Sequence, residues 1–309
     1  MRRALEMREY SFRYAGGKQD VLSHLDMRLD FGELVVLGGD SGSGKSTLLA
    51  ALIGRIPHLL AGEQGGSIVL YRQVEGGEGD GDGPGCVACG NASGGRGAGV
   101  AEAASGTAAS ESAASGVEAQ AQVQAQAHDI TEAGVADISH FMGSVLQDAD
   151  SQIVHVIIGD EVAFGCENFN MAPDLISRRV EDACAMMNLV PTAFTATLSG
   201  GQKQRLVTAT TLAMGQRILV FDEPLANLDR ASAHVLLEHL QTLARSGCAV
   251  LIVEHRLDVV APYADRILWL KDGRVVPYEA AGLPALAPTP APATPGAPAA
   301  GHRGDGLFC

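Results

Sequence analysis

Short runs of consecutive apolar residues, many of them β-branched, recur along the chain, and each run ends at a polar loop. The sequence ELVVL covers residues 33–37, ILVF covers 218–221 and CAVLIV covers 248–253, with amphipathic segments between them. Strands that are buried on both faces of a parallel sheet have this composition, and ligands gather at their carboxyl ends. The pattern therefore predicts an α/β fold with a mostly parallel core sheet.

Two stretches depart from this pattern. After the strand-like sequence SIVLY, residues 72–137 are rich in Gly, Ala, Ser, Glu and Gln and contain no Phe, Tyr or Trp. Such a composition buries too little apolar surface to offset the entropy of ordering the chain. We therefore expect a disordered insertion at 72–137 with a short helix near 120–127, and a disordered Pro/Ala-rich tail at 281–309. The remaining residues predict one domain over 1–280 that the insertion interrupts.

Charge and hydropathy narrow the class of protein. The formal net charge is −14, and residues 72–137 hold ten acidic side chains and two arginines, so that this segment contributes −8 of it. We expect no nucleic-acid partner, because no basic stripe is present. No stretch approaches the roughly 20 apolar residues that cross a bilayer, and no apolar signal core follows the N-terminal charges. These features predict a soluble, cytoplasmic chain.

Cysteine usage suggests free thiols. Six cysteines in a chain without a secretion signal are more typical of buried or free thiols than of a disulfide framework. Cys86 and Cys89 have the C-x-x-C spacing of half a zinc site, but structural zinc takes four ligands and no second pair lies nearby. Cys309 is the last residue, which leaves no prenylation box. Two free thiols in a loop remain the simpler interpretation.

The strongest local motif is GDSGSGKST, which fits the phosphate-binding pattern G-x-x-x-x-G-K-[ST] between a strand and a helix. Its glycines let backbone N–H groups surround phosphates at a helix N-terminus. The lysine is expected to reach the β- and γ-phosphates, and the serine after it to bind Mg²⁺. The predicted nucleotide-binding residues here are Gly39, Asp40, Ser41, Gly42, Ser43, Gly44, Lys45, Ser46 and Thr47.

Adjacent carboxylates follow another apolar strand. The sequence FDEP ends the run ILVF, so that Asp222 can hold the metal while Glu223 faces a water beyond the γ-phosphate. Alone, such a pair is more often a solvated turn or a helix cap. Together with the phosphate-binding loop it predicts a site for ATP and Mg²⁺.

A third motif resembles the signature of ABC ATPases. The sequence LSGGQKQR lies shortly before FDEP and includes Ser199, Gly200, Gly201 and Gln202, which open a helix whose N-terminus can face a phosphate. The resemblance implies a P-loop NTPase fold with an antiparallel β-subdomain and a helical signature subdomain. It also implies a head-to-tail pair of ATPase subunits, in which each signature contacts the ATP that the other subunit holds.

Four further positions match this family. Gln147 in SVLQD resembles the Q-loop glutamine, His255 in LIVEH the switch histidine, Asp229 in LANLD the D-loop aspartate, and Tyr14 in SFRY the aromatic residue that stacks on adenine. Singly, these could be a surface glutamine, a strand-end histidine, a helix N-cap and a core aromatic. Their order and spacing favour the family interpretation.

The resemblance implies a division of roles. The catalytic residues would be Glu223, His255, Gln147 and Lys45, with Mg²⁺ held by Ser46, Gln147 and Asp222. Glu223 would polarise the attacking water and His255 would position it, while Lys45 and Mg²⁺ stabilise the transferring phosphoryl group.

Three stretches resemble the ATPase subunits of energy-coupling-factor importers, which serve vitamins and transition-metal ions. They include Ser151 and Gln152 after the Q-loop and the sequence EVAFG at 161–165. The implied partners are a second ABC ATPase subunit, identical or homologous, a transmembrane scaffold protein and a substrate-binding membrane protein. The implied location is the cytoplasmic face of the membrane.

A different class remains as the alternative. Some soluble ABC ATPases act on nucleic acid or ribosomes, but they carry long coiled coils or two nucleotide domains. This sequence has one phosphate-binding loop and no heptad array. The transported substrate and the choice between homodimer and heterodimer stay open.

Overall fold

The structure is a computed structural model that describes residues 3–74, 124–226 and 228–281. The strands are β1 (Arg3–Tyr14), β2 (Leu22–Asp30), β3 (Leu34–Gly39), β4 (Gly62–Val74), β5 (Gln124–Asp129), β6 (Met142–Val145), β7 (Ile218–Asp222), β8 (Ala249–Val253), β9 (Arg266–Lys271) and β10 (Arg274–Pro277). The helices are α1 (Lys45–Leu52), α2 (Val135–Ser139), α3 (Ile158–Asn168), α4 (Pro173–Met186), α5 (Gly200–Ala213), α6 (Arg230–Arg245) and α7 (Leu257–Val260).

The strands form two sheets. One has four strands in the order β2-β1-β4-β5 and is antiparallel throughout. The other has six strands in the order β10-β9-β3-β8-β7-β6 and is parallel except where β10 meets β9. The predicted α/β fold with a mostly parallel core sheet and an antiparallel β-subdomain is confirmed. Because β3, β8 and β7 are neighbours, their carboxyl ends lie side by side.

Alternating residues of the central strands enter different cores. Leu34 and Val36 of β3 pack in the core that also contains residues of α3 to α6, whereas Val35 and Leu37 pack with the antiparallel sheet and α1. Strands β7 and β8 divide their residues in the same way. Burial on both faces explains why these strands are uninterrupted apolar runs.

The helical part begins after β6. Helices α3, α4 and α5 contribute to one core with α6, and α5 starts at a capping box in which Ser199 is the N-cap and Gln202 the third helical residue. No helix within the three described ranges is long and apolar enough to cross a bilayer.

The ends of the expected insertion are ordered, which corrects the sequence-based boundaries. Strand β4 continues to Val74, and β5 pairs with it so that Arg72 lies opposite Gln126. The helix expected near 120–127 is wrong over residues 124–127, which form part of β5, and α2 covers further residues assigned to the insertion. The reason is that the edge of β4 offers unpaired N–H and C=O groups, a partner that composition does not reveal.

The rest of the expected insertion (75–123), the tail (282–309), Cys86, Cys89 and Cys309 lie outside the described residues.

Candidate functional site

The phosphate-binding loop joins β3 to α1. Lys45, the first residue of α1, is buried, and its Nζ donates hydrogen bonds to the carbonyl oxygens of Gly39 at 2.8 Å and Asp40 at 2.9 Å. Gly44 is the N-cap, with φ at 106°, and its carbonyl accepts the first helical hydrogen bond from the N–H of Leu48 at 2.8 Å. The loop therefore presents the start of a helix beside a buried ammonium group.

Three positions in the loop require glycine. A Cβ on Gly39 would lie 2.7 Å from Ser43 Oγ and 2.9 Å from the carbonyl oxygen of Leu270, both closer than real contacts allow. Gly42 and Gly44 have positive φ values that L-residues rarely adopt. Ser43 Oγ is buried and has no hydrogen-bond partner among the described residues. The motif glycines are thus explained by backbone shape, and the exposed Ser46 follows Lys45 in the first turn of α1.

Three predicted catalytic side chains meet at the carboxyl ends of β6, β7 and β8. Glu223 Oε2 accepts a hydrogen bond from Gln147 Nε2 at 3.0 Å. Its other oxygen, Oε1, lies 3.0 Å from His255 Nε2. Each carboxylate oxygen of Glu223 therefore has one partner, and each partner comes from the loop that follows a different strand.

Charge in this site is unevenly balanced. Burial lowers the pKa of Lys45, and the carboxylates of Glu223, Asp40 and Asp222 act in the opposite direction. Burial also raises the pKa of Asp222, as does Glu223, whereas Lys45 opposes that rise. The negative charge of the carboxylates exceeds the positive charge of the single ammonium group, so this charge balance favours binding of a further cation.

These residues fit Mg²⁺ in the way that phosphoryl-transfer sites hold it. Among the residues that the structure describes, no three or more His, Cys, Asp or Glu side chains gather as a metal cage. Mg²⁺ needs none, because one or two carboxylates share it with phosphate oxygens and water. Asp222 is the predicted carboxylate ligand, and the Ser46 hydroxyl and the Gln147 amide oxygen are the other predicted ligands.

The predicted D-loop and signature residues both cap helices. Asp229 is the N-cap of α6, where Oδ1 accepts a hydrogen bond from the N–H of Ser232 at 2.7 Å, and this bond lowers the pKa of Asp229. Ser199 caps α5, and its N–H donates to Gln202 Oε1 at 2.9 Å. Within the described part of the chain, no hydrogen bond joins the signature residues 199–202 to the phosphate-binding loop.

Tyr14 lies next to the phosphate-binding helix. Its hydroxyl oxygen is 2.9 Å from Thr47 Oγ1, and its ring meets Phe12 edge-on with centroids 5.0 Å apart. The side chain is 37% exposed, so Tyr14 is not a core aromatic residue. This position leaves part of the ring accessible for stacking.

The residues that resemble energy-coupling-factor ATPases stabilise the segment after Gln147. Gln152 accepts a hydrogen bond from the N–H of Leu146 at 2.8 Å and donates one to the carbonyl of Ser144 at 3.2 Å. Buried Glu161 accepts hydrogen bonds from the N–H groups of Val154 at 2.9 Å and His155 at 2.7 Å. Their structural role is therefore to hold the Q-loop and residues 154–155 beyond it.

Sequence reasoning missed one residue of the site, Glu254. Its side chain is 2% exposed, and it lies between β8 and His255. The available signal was a carboxylate at the end of a fully apolar strand, where a charged residue must be hydrogen-bonded.

The fold and this site define a protein of the ATP-binding cassette class. The sequence matches the family described as ABC transporter over residues 22–77 and 105–226, and the chain belongs to that family.

Individual relatives agree with this assignment. A putative ABC transporter ATP-binding protein of Methanosarcina mazei is 31% identical over 88% of this chain and 38% of its own length. One from Pyrococcus horikoshii is 29% identical over 88% of this chain and 78% of its own length. The chain spans about two fifths of the length of the first curated relatives it matches.

Solved structures share the fold. The structure of cbiO1 from Clostridium perfringens, described as part of the ABC transporter complex cbiONQ, has a TM-score of 0.64 and 23% identity and covers 89% of this chain and 88% of that one. A nucleotide-free ATP-binding cassette from an ABC transporter has a TM-score of 0.60 at 17% identity, and covers 89% of this chain and 90% of that one.

Proposed function

We propose that this chain binds MgATP at the phosphate-binding loop, hydrolyses it and thereby energises a membrane ABC transporter. The observation that carries the proposal is the meeting of Gln147, Glu223 and His255 beside the loop that holds Lys45. Three loops that are far apart in sequence place an acceptor for a water proton and two polar groups at one edge of the sheet. That is the arrangement which attack of water on a γ-phosphate requires.

Each side chain has a role that its contacts support. Glu223 is the general base, and its hydrogen bond with Gln147 and its contact with His255 orient the carboxylate. Lys45 uses two of its three N–H donors on loop carbonyls, which leaves one for a phosphate oxygen. Asp222, Ser46 and Gln147 would hold Mg²⁺, which when bound offsets charge on the transferring phosphoryl group.

A second ATPase subunit, identical or homologous, completes the site. The signature residues lie at the N-terminus of the 14-residue helix α5, where backbone N–H groups favour a phosphate. They make no hydrogen bond with the phosphate-binding loop of their own chain among the described residues. A head-to-tail pair brings the signature of each subunit to the ATP of the other, and closed two-fold symmetry provides such a pair.

An exposed apolar surface supports the proposal that a partner protein binds this chain. We call it the Q-side surface; its members are Val154, Val156, Phe164, Val190 and Phe194, each at least 40% exposed. The neighbouring segments pair with each other, since Ile157 forms a β-bridge with Phe194. Glu161 hydrogen-bonds the segment that contains two of these valines. Apolar surfaces of this kind mark interaction sites.

We assign the Q-side surface to the transmembrane scaffold of an energy-coupling-factor type importer, which acts with a substrate-binding membrane protein. The similarity of the fold to cbiO1 and the positions of Gln152 and Glu161 support this transporter type. The cargo would be a vitamin or a transition-metal ion, and this chain would lie at the cytoplasmic face of the membrane.

Capture from detergent-solubilised membranes tests the transporter assignment. The tagged full chain is compared with a Val156→Asp/Phe194→Asp variant and with Val235→Asp, a control at an exposed valine of α6. We expect wild type and control to recover a membrane scaffold with a small substrate-binding membrane protein, and the double variant to lose both. Recovery of ribosomal proteins or nucleic acid without membrane proteins would contradict the transporter and favour the soluble alternative.

A further inference from the structure

We propose that Glu254 and Arg256 are positioning residues that connect the switch histidine of this chain to the surface that completes the ATP site of the second subunit. The inference rests on the proposed two-subunit site. It adds a physical path through one chain between two ATP sites. His255 belongs to the first site, and the signature and Asp229 would face the second.

The first part of the path is the carboxylate of Glu254. Its Oε1 accepts hydrogen bonds from the N–H groups of His255 at 2.8 Å and Arg256 at 3.1 Å. Its Oε2 accepts one from the N–H of Leu225 at 3.3 Å, and its own N–H donates to the carbonyl of Leu37 at 3.2 Å. We call the loop after β8 that contains His255 the switch loop. One buried side chain thus joins the switch loop to the loop after β7.

Moving one of these loops alone is costly. A buried carboxylate requires its hydrogen bonds, because an unpaired buried charge carries a large desolvation penalty. Glu254 is 2% exposed, so water does not readily replace a lost backbone donor. The switch loop and the loop after β7 are therefore expected to move together.

Arg256 holds the same loop from its carbonyl side. Its Nη1 donates hydrogen bonds to the carbonyl oxygens of Leu225 at 3.0 Å and Leu228 at 3.3 Å. A turn within the loop brings these carbonyls together, since the N–H of Leu228 donates to the carbonyl of Leu225 at 3.2 Å. Leu228 directly precedes Asp229, the N-cap of α6. The guanidinium group therefore fixes the approach to the predicted D-loop aspartate.

The signature packs directly on this loop. A Cβ added to Gly201 would lie 3.1 Å from Leu228 Cδ2 and 3.5 Å from the Cβ of Ser232 in the first turn of α6. Such close packing leaves little freedom for Leu228 to shift without moving the start of α5. The switch loop of one ATP site is thereby connected to the residues that face the other site.

This connection predicts cooperative hydrolysis. A contiguous network of hydrogen bonds and packed side chains can carry coupling energy between sites, and the coupling must be measured to be established. If ATP in one site shifts His255, the shift reaches Gly201 and Asp229 through Glu254 and Arg256. The wild-type chain should therefore hydrolyse ATP with a Hill coefficient above one.

The test uses conservative variants of the full chain. Glu254→Gln keeps an oxygen that accepts hydrogen bonds from the switch loop, but it turns an NH₂ group toward the N–H of Leu225. Arg256→Lys keeps the positive charge but loses the forked hydrogen-bond donor. The double variant completes a cycle. Glu33→Gln and Arg266→Lys are matched controls, because these residues form an ion pair at 2.8 Å near the opposite end of β3.

Steady-state kinetics and thermal melting are measured for each variant. We expect each single variant to lose about tenfold to a hundredfold in kcat, since small misplacements of positioned groups cost that much. The Hill coefficient should fall toward one, and KM should stay within about twofold of wild type. The double variant should lose no more than the worse single variant, because groups that act as a unit are not additive.

Three results would overturn the inference. They are a wild-type Hill coefficient of one, single variants with full kcat and cooperativity, or losses in the double variant that simply multiply. A parallel fall in kcat, affinity and melting temperature would show that the residues have a merely structural role. If Glu254→Gln is unstable, Arg256→Lys provides the test, because Arg256 is partly exposed. Absence of ATP hydrolysis in wild type and controls would instead refute the proposed function.

Discussion

Glu223 has a backbone conformation that few L-residues adopt. Its φ is 46°, in the left-handed region, directly after β7. The conformation is held by hydrogen bonds from its N–H to the carbonyl of Val253 at 2.9 Å and from the N–H of Ala226 to its own carbonyl at 3.1 Å. Strain of this kind costs about 1–3 kcal/mol and concentrates at functional sites.

Replacing Glu223 with smaller residues should reveal this strain. Both Glu223→Gly and Glu223→Ala lose the side-chain contacts, but glycine adopts a positive φ without a Cβ clash. We expect the Gly variant to be the more stable of the two by up to about 1 kcal/mol in unfolding free energy, against the usual order. Denaturant unfolding measures the difference.

The same pair of substitutions at Asp222 is the control. Asp222 is the last residue of β7 and has no positive φ, so alanine should be the more stable substitution there. Alanine being more stable than glycine at both positions would show that Glu223 carries no backbone strain.

At the residue scale, motifs indicated which side chains meet at the candidate site, but they did not indicate which hydrogen bonds hold the loops that carry these side chains. Gln147, Glu223 and His255 follow three strands, so their proximity could be expected from the sequence. Glu254 was missed because its role depends on three backbone N–H groups that only the folded loops bring together.

At the scale of elements, the start of α6 combines two interpretations of Asp229. The structure shows a helix N-cap, and the proposed subunit pair adds a contact with the other site. Asp229→Ala should lower the melting temperature, whereas Asp229→Asn should preserve it, because asparagine also caps helices. If the second role is correct, Asp229→Asn still lowers ATP hydrolysis by about tenfold. Full activity in Asp229→Asn would leave capping as the whole explanation.

Two buried thiols report on the packing of α3 and α4. Burial raises the pKa of Cys166 and of Cys184 to about 11, so little reactive thiolate is present at pH 8. We expect both to resist alkylation in the native chain and to react once it unfolds, as peptide mapping by mass spectrometry would show. Native labelling as fast as that of an exposed thiol would contradict this packing.

The strands differ in how far sequence alone predicts them. The apolar runs predicted β3, β7 and β8 closely, because burial on both faces determines their composition. Strand β5 could not be predicted in the same way. Its sequence QAQAHD alternates glutamine only with alanine and contains no β-branched residue and no Phe, Tyr or Trp, and it is a strand because β4 offers an edge for pairing.

At the scale of the whole molecule, the two sides of the core sheet separate two kinds of packing. One side packs with the antiparallel sheet and α1, and the other with the helices that carry the signature. The phosphate-binding loop and the signature thus lie on opposite sides of the core sheet. The sheet and the loop after β7 connect the elements that carry them. In the proposed pair, the phosphate-binding loop of this chain would contribute to one composite site and its signature to the other.

Phosphate release by the purified full chain tests the central claim most directly, with saturating ATP and Mg²⁺ and with wild type compared to Glu223→Gln. The substitution preserves the size of the side chain and removes the proposed general base. We expect the rate to fall by about 10²- to 10⁴-fold, the usual worth of such a base. We also expect wild-type activity per chain to rise with chain concentration, because two subunits form each site in the proposed pair. An unchanged rate in Glu223→Gln would contradict the account.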